Sequence, residues 1–341
     1  MSERQPEGPR VVTGGAGAIG SVLVERLLRD GAAVEVIDDF SSGRPEVLPT
    51  GAAASRLHVT SCHLGTEEPP GSAFRGAGEV WHLAANADVR RGPENPKVDL
   101  TSGTVATFQV LEAARKADVP RVIFSSSSVV YGFPTVFPTP ESYGPLQPES
   151  LYGAAKLAAE GLLSAYAHTY GIRAYIYRFA NIVDGRAGHG VIYDFFEKLR
   201  AEPSRLEVLG DGRQAKSYLR TEECVEGMLA GVQRASDKVN IFNLGSADRI
   251  SVREIAEKVV AAHGGTARIV YQGGDRGWVG DVPQQQLSIE KIGRLGWKPK
   301  LTSAEAVDRT VEELAEARHL PSARKPSGAP RGAGPPPERG R

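Results

Sequence analysis

"VVTGGAGAIGS", residues 11–21, decides how the rest of the chain is read. An apolar run enters Gly14, Gly17 and Gly20, a GxxGxxG spacing, and the pattern then turns helical until Gly31 stops it. Glycines at a strand-to-helix turn let the backbone approach a diphosphate. The helix N-terminus adds free N–H groups and the positive end of its dipole. Alone, the spacing would also describe a tight turn. The context makes the difference: a strand before, a helix after, and Asp38 at the end of the second strand. An acid there can accept hydrogen bonds from both adenosine ribose hydroxyls and repels a 2′-phosphate, which favours NAD over NADP. Arg44 in "DDFSSGR" (38–44) is the opposing feature, a cation that can meet a phosphate.

Outward from this turn the chain alternates. "AVEVI" (33–37), "LHVT" (57–60), "EVWHL" (79–83), "RVIFS" (121–125) and "RAYIYRF" (173–179) read as strands, with helices over about 98–117 and 150–170. Near-continuous apolar strands separated by helices predict a Rossmann-type, doubly wound parallel α/β sheet covered on both faces. Beyond about residue 180, helices near 190–201, 221–234 and 251–263 mix with short strands. "VNIFNLG" (239–245) is apolar enough to rejoin the main sheet. The expected organisation is a dinucleotide-binding domain over 8–180 plus about 236–247, and a smaller, discontinuous α+β substrate-binding domain over about 181–235 and 248–320. Residues 321–341, rich in Pro, Gly and Arg and without apolar anchors, read as a disordered tail.

Composition narrows the partners. Lys+Arg and Asp+Glu are both 41 in 341 residues, so no global field draws nucleic acid or membrane. The tail's basic residues are the one local reason to consider RNA. No apolar stretch is long enough to span a bilayer, and "MSERQPEGPR" has no signal-peptide core. The 2 cysteines, Cys62 and Cys224, lack metal-ligand spacing and read as reduced thiols, so a cytoplasmic protein without a metal is expected.

The cofactor side is assigned to Gly14, Gly17, Ala18, Ile19 and Gly20 of the turn, and to Asp38 with its loop neighbours Asp39, Phe40, Ser42 and Gly43. Leu83, Ala84 and Ala85, small residues after the fourth strand, and Ser125 complete it. His82 reads as a packed residue. Tyr152 and Lys156 in "SLYGAAK" lie four apart and share one helix face. The serines of "SSSSVVYG" (125–132) end a neighbouring strand on the carboxyl edge of the sheet, where ligands bind. A free tyrosine, with a pKa of about 10, is a poor base at neutral pH. Lowering it by about three units takes about 4 kcal/mol, the order supplied by one positive charge near 4 Å at an effective dielectric of about 20. Lys156 and an oxidised nicotinamide are the expected sources of that charge.

With these words in place, the chain resembles the extended short-chain dehydrogenase/reductases, and within them the UDP-glucose 4-epimerase-like nucleotide-sugar epimerases. The resemblance spans about residues 10–300 and rests on "TGGAGAIGS", "VWHLAA", "SSSSVVYG", "LYGAAK", "RFANIV", "GVIYDF", "LGDGRQAKSYL" and "GDRGWVGDVP". It implies a Ser–Tyr–Lys triad of Ser127, Tyr152 and Lys156, with Ser126 the neighbouring alternative and Tyr131 the landmark. It implies substrate contacts from Asn181 to the diphosphate, from Val191 and Tyr218 around uracil and ribose, and from Arg186, Lys216, Arg276 and Asp281. It also implies a homodimer.

The chain departs from the family pattern in places. His63 stands where relatives have an Asp near the adenine, leaving the backbone of Leu64 to serve. Asp184 stands where most have glycine, and Trp278 fills the usual place of the arginine represented here by Arg276. Dehydratases of the family carry acids just after the catalytic hydroxyl, and decarboxylases a glutamate near it; here Ser128, Val129 and Val130 follow.

The function so implied is NAD-dependent inversion at C4 of a UDP-sugar through a transient 4-ketone. The alternatives are a related UDP-glucuronate or UDP-N-acetylglucosamine 4-epimerase, a dehydratase, a decarboxylase or a reductase, or a non-catalytic NAD-binding regulator. Asn181 leans toward neutral sugars, whereas Gln285, at the position that sorts N-acetyl sugars, leaves the choice of sugar open.

Overall fold

The computed structural model describes residues 8–319 apart from 87, 90, 91, 275, 278 and 279. Apolar strands with covering helices form in the order expected of them. The first run is β1 (Arg10–Thr13), α1 (Ala18–Arg29), β2 (Val34–Asp38), β3 (Leu57–Ser61), α2 (Gly71–Phe74), β4 (Glu79–His82), α3 (Pro96–Asp99), α4 (Ala106–Lys116), β5 (Arg121–Ser127), α5 (Leu151–Tyr170) and β6 (Arg173–Phe179). Then come β7 (Asn181–Val183), α6 (Val191–Ala201), β8 (Arg205–Val208), β9 (Ala215–Lys216), β10 (Tyr218–Arg220), α7 (Thr221–Arg234) and β11 (Val239–Leu244). The last run is β12 (Ile250–Ser251), α8 (Val252–Ala262), β13 (Arg268–Tyr271), β14 (Gln284–Gln285), α9 (Glu290–Arg294) and α10 (Ser303–His319).

Seven strands form one sheet in the order β11-β6-β5-β4-β1-β2-β3. Every neighbouring pair is parallel, and β11 joins it beside β6, as its apolar sequence suggested. Strand alternation divides the core between two faces. Val11, Val80 and Val122 pack with α4 and α5, while Val12, Trp81 and Ile123 pack with α1 and α7. A third apolar cluster joins Phe195 and Phe196 of α6, Ile255 and Val259 of α8, and Val307 and Val311 of α10. The small sheets β10-β7, β12-β9-β14 and β13-β8 lie outside the main one. The strand order reverses between β1 and β4, and a crevice opens there at the carboxyl ends.

The helix expected over 98–117 differs from a single rod. It is α3, a π-helical stretch over Leu100–Val105, and α4. The break has a packing cause. A Cβ on Gly103 would lie 2.8 Å from Ala155 Cβ of α5, so the two backbones meet closely at this turn. The Thr107 hydroxyl donates to Gly103 O at 2.5 Å and also meets His82 Nε2 at 3.0 Å. Single π turns inside helices often accompany functional sites.

Among the described residues no helix is long and apolar enough to cross a membrane. The tail at 321–341 and Trp278 lie outside the described residues.

Candidate active site

A cleft of about 550 Å³ runs along the carboxyl edge from the glycine turn to Lys156. All the residues assigned to the cofactor line it except Phe40, which packs against the core beneath with φ 57°. The glycine turn fits a diphosphate for steric reasons. Gly14 has φ 70°, and a Cβ on Gly20 would lie 2.0 Å from Gly14 O. Gly17 caps α1 without a side chain, so the first N–H groups of α1 face the cleft uncovered by any capping group.

Asp38 accepts from Ala16 N and Phe40 N, each at 2.9 Å. Its carboxylate therefore ties the glycine turn to the loop after β2, and burial raises its pKa against these two hydrogen bonds. Arg44, the cation that opposed the NAD reading, donates to Arg186 O at 3.1 Å. His63 lines the cleft with its Nε2 3.6 Å from Asp39 Oδ2. Its neighbour Leu64 is buried at the same edge.

Ser150 starts α5 by accepting from Gly153 N at 3.1 Å, which sets Tyr152 and Lys156 in the first two turns facing the end of β5. Lys156 is buried; its Nζ donates to Ser125 O at 2.6 Å and lies 5.7 Å from the Tyr152 ring centroid. Burial pulls the ammonium down to about 7, and the charge of Glu160, one turn on, acts against that. Burial pushes the Tyr152 phenol up, and Asp99 pushes it further. The lowering expected of Tyr152 is thus not produced by the chain's own groups, because burial dominates and the charge of Asp99 acts in the same direction. His82 is packed, as read, between Thr13 and Thr107 hydroxyls at 2.7 and 3.0 Å, and burial with Lys156 nearby takes it down to about 3.

The two candidate serines separate. Ser126 is buried and donates to Glu160 Oε1 at 2.5 Å. Ser127, at the strand end, accepts, among the described residues, only a long 3.4 Å hydrogen bond from Val129 N. Glu160 is in turn gripped by Arg178 through contacts of 3.0 and 2.7 Å, and Arg178 Nη1 donates to the Tyr131 hydroxyl at 3.0 Å. Sequence reasoning missed this network. Its available signals were an acid four residues after Lys156 and an arginine inside an apolar strand.

The substrate-side residues do not line the cofactor cleft. Lys216 pairs with Asp281 at 2.5 Å, and Asp281 also accepts from Gly277 N at 3.0 Å. Buried Tyr218 lies near the same carboxylate, and both burial and that charge raise its pKa. Asn181 Nδ2 donates to Ser217 O at 3.2 Å, which attaches β7 to β10. Val191 opens α6 after Gly190. Arg276 stacks 4.6 Å from the Phe133 ring, in the loop that follows the serine run. Arg186 turns toward α1, with Asp184 at 3.4 Å and Glu25 at 3.6 Å. Gln285 joins the two regions: its Oε1 accepts from Ser217 N at 3.1 Å and its Nε2 donates to Ser128 Oγ at 2.7 Å. Among the described residues no His, Cys, Asp and Glu group could hold a metal.

The sequence model of the NAD dependent epimerase/dehydratase family matches residues 10–245. The UDP-glucose 4-epimerase of Mycolicibacterium smegmatis is 33% identical over 315 residues, covering 89% of this chain and 97% of its own. UDP-glucuronic acid decarboxylase 1 of Arabidopsis thaliana is 30% identical over 317 residues, covering 89% of this chain and 69% of its own. A solved UDP-galactose 4-epimerase superposes with a TM-score of 0.81 at 40% identity, over 91% of this chain and 99% of that one. Sequence, fold and a glycine cradle shaped for a dinucleotide agree: the chain belongs to the NAD dependent epimerase/dehydratase family, and its cofactor is NAD.

Proposed function

We propose that the chain inverts C4 of a UDP-hexose of the UDP-glucose/UDP-galactose type. The observation that carries this reading is the engagement of Ser126 by Glu160, which leaves Ser127 as the strand-end hydroxyl, followed by Ser128, Val129 and Val130. None of those three can move a proton at C5 or C6 or assist loss of carbon dioxide, so oxidation and re-reduction at C4 is the chemistry that remains.

The glycine turn would hold the NAD diphosphate and Asp38 the adenosine ribose. Bound NAD supplies reversible hydride transfer at C4. Ser127 hydrogen-bonds O4 and fixes it toward Tyr152. The Tyr152 oxygen takes the O4 proton as the C4–H bond breaks, and returns it after the sugar has turned. Lys156 sets the charge beside the tyrosine and holds Ser125 O. The pair Lys216 and Asp281, with Asn181, anchors the nucleotide end while the 4-keto sugar exposes its other face. The smaller lobe, about 181–235 and 248–320, carries these anchors. We further propose a homodimer through the exposed apolar residues of α4 and α5, and a cytoplasmic setting in keeping with the free, buried Cys62 and Cys224.

The test is UDP-glucose deuterated at C4, turned over in ordinary water. NMR should find the epimer with its label still at C4. Solvent hydrogen at C4 would overturn the reading. Label at C6 would mean a dehydratase, and release of carbon dioxide from UDP-glucuronate a decarboxylase.

A further inference from the structure

Glu160 and Arg178 are buried, 5% and 3% exposed, and neither lines the cofactor cleft. On α5, Glu160 stands one turn beyond Lys156 and two beyond Tyr152, so the three share one face. Its Oε1 accepts from the Ser126 hydroxyl at 2.5 Å and from Arg178 Nε at 3.0 Å, and its Oε2 accepts from Arg178 Nη2 at 2.7 Å. Ser126 and Arg178 are partners in the β5–β6 register, so both side chains leave the sheet on the same face. Arg178 Nη1 donates onward to the Tyr131 hydroxyl at 3.0 Å and to Glu141 O at 3.2 Å. The Tyr131 hydroxyl donates to Asn243 Oδ1 at 2.7 Å. One buried network thus joins α5, β5, β6 and β11 with the loop that follows the serine run.

As a source of stability such a pair is a poor choice. Both charges lose their water, and an apolar pair of similar volume commonly serves a core as well. Its place in the fold is what sets it apart. Lys156 Nζ holds Ser125 O at 2.6 Å, and Glu160 holds the Ser126 hydroxyl. Residues one turn apart on α5 therefore grip consecutive residues of β5, and the next residue along the strand is Ser127. A single bond to a backbone carbonyl would leave the strand end free to roll about its axis. A second bond, to the next side chain, removes that freedom.

Resting on the reading of Ser127 and Tyr152 as the pair that handles O4, we propose that Glu160 is a positioning residue. Anchored by Arg178 and acting through Ser126, it fixes the end of β5 against α5 so that Ser127 and Tyr152 converge on one oxygen. A shift of about 1 Å in such an alignment costs on the order of a hundredfold in rate. Binding of the nucleotide and of NAD is made by other residues and is spared.

The experiment removes the ion pair as a pair, combining Glu160→Met with Arg178→Met in the NAD-loaded enzyme, so that no charge stays buried alone. The melting temperature should stay within a few °C of the parent. For UDP-glucose, kcat should fall about tenfold to a hundredfold, while KM and the NAD content stay within about twofold. A merely structural pair gives the opposite pattern, a lower melting temperature with kcat per NAD-loaded molecule unchanged, and that result overturns the proposal.

Ser126→Ala keeps the ion pair and cuts only its link to β5. It should lower kcat several-fold, well short of Ser127→Ala, and cost little more when added to the double variant. A loss equal to that of Ser127→Ala would mean that Ser126 meets O4 itself, and overturns the proposal. If the double variant fails to fold, Ser126→Ala decides alone: unchanged kcat overturns the proposal equally. Near-normal turnover in Ser127→Ala would sink the O4 pair instead. A slow Ser127→Ala beside unmoved Glu160 and Ser126 variants would sink only the role of Glu160.

Discussion

Lys156 holds a charge where the fold resists it. Its pKa falls from 10.5 to about 7 on burial, while in the unfolded chain it stays near its ordinary value. The unfolded state therefore binds more protons between about pH 7 and 10.5, and stability from this group rises with pH across that window. Below about 7 the full penalty is present, on the order of 5 kcal/mol. Lys156→Met keeps the packed stem and removes the charge. In the NAD-free protein at pH 6.5 it should melt a few °C higher, and the gain should shrink toward pH 10. Turnover should fall at least about a hundredfold. An unchanged melting curve at pH 6.5 would mean that the folded site compensates the ammonium. The pair Tyr152 and Lys156 was legible from its spacing, but the sign of the tyrosine's shift was not. Spacing places a charge beside a phenol; it says nothing of the desolvation of both, or of Asp99 arriving from another helix.

The glycine turn and α1 act as a unit through Asp38, whose carboxylate holds Ala16 N and Phe40 N. Gly20 lies inside the helix, where alanine is usually the better residue. Here its Cβ would lie 2.0 Å from a backbone oxygen, which no rotamer change can relieve. Gly20→Ala should therefore push the turn outward and weaken NAD binding at least about tenfold, read by calorimetry. Retained affinity would show that the diphosphate does not need this close approach. Elements with long apolar runs, such as β6 over Arg173–Phe179, were legible to the residue. β5 runs to Ser127, beyond the expected end, because Ser125, Ser126 and Ser127 pair with Tyr177, Arg178 and Phe179 of β6. The strands β9, β12 and β14 hold 2 residues each, too few for any period to register. The π turn was equally hidden, since Gly103 meeting Ala155 causes it rather than a local preference.

Across the whole molecule, helix α5 has one side against the sheet and another near the surface. Ala159 and Leu163 are buried beneath it, while Leu151 and Tyr170, at its two ends, are 43% and 52% exposed. On the helix beside it Phe108 is 46% exposed, and Leu100 in the π turn 56%. Large apolar side chains grouped on adjoining helices mark a surface that gains by being covered. A second copy of the chain can cover it symmetrically, each helix pair meeting its equivalent. Phe108→Glu puts a charge into that contact without touching the core or the cleft. The parent protein should elute with light scattering at twice the chain mass, and Phe108→Glu at the single mass. A parent that is monomeric at micromolar concentration would remove the dimer, and a variant still dimeric would move the contact elsewhere. Because Leu100 shares its π turn with Gly103, which meets Ala155 of α5, and Leu151 adjoins Tyr152, such a contact would also brace the reacting turn. The monomeric variant should therefore keep its melting temperature within a few °C, with its affinity for NAD nearly unchanged, yet lose kcat several-fold as the α3–α5 contact loosens.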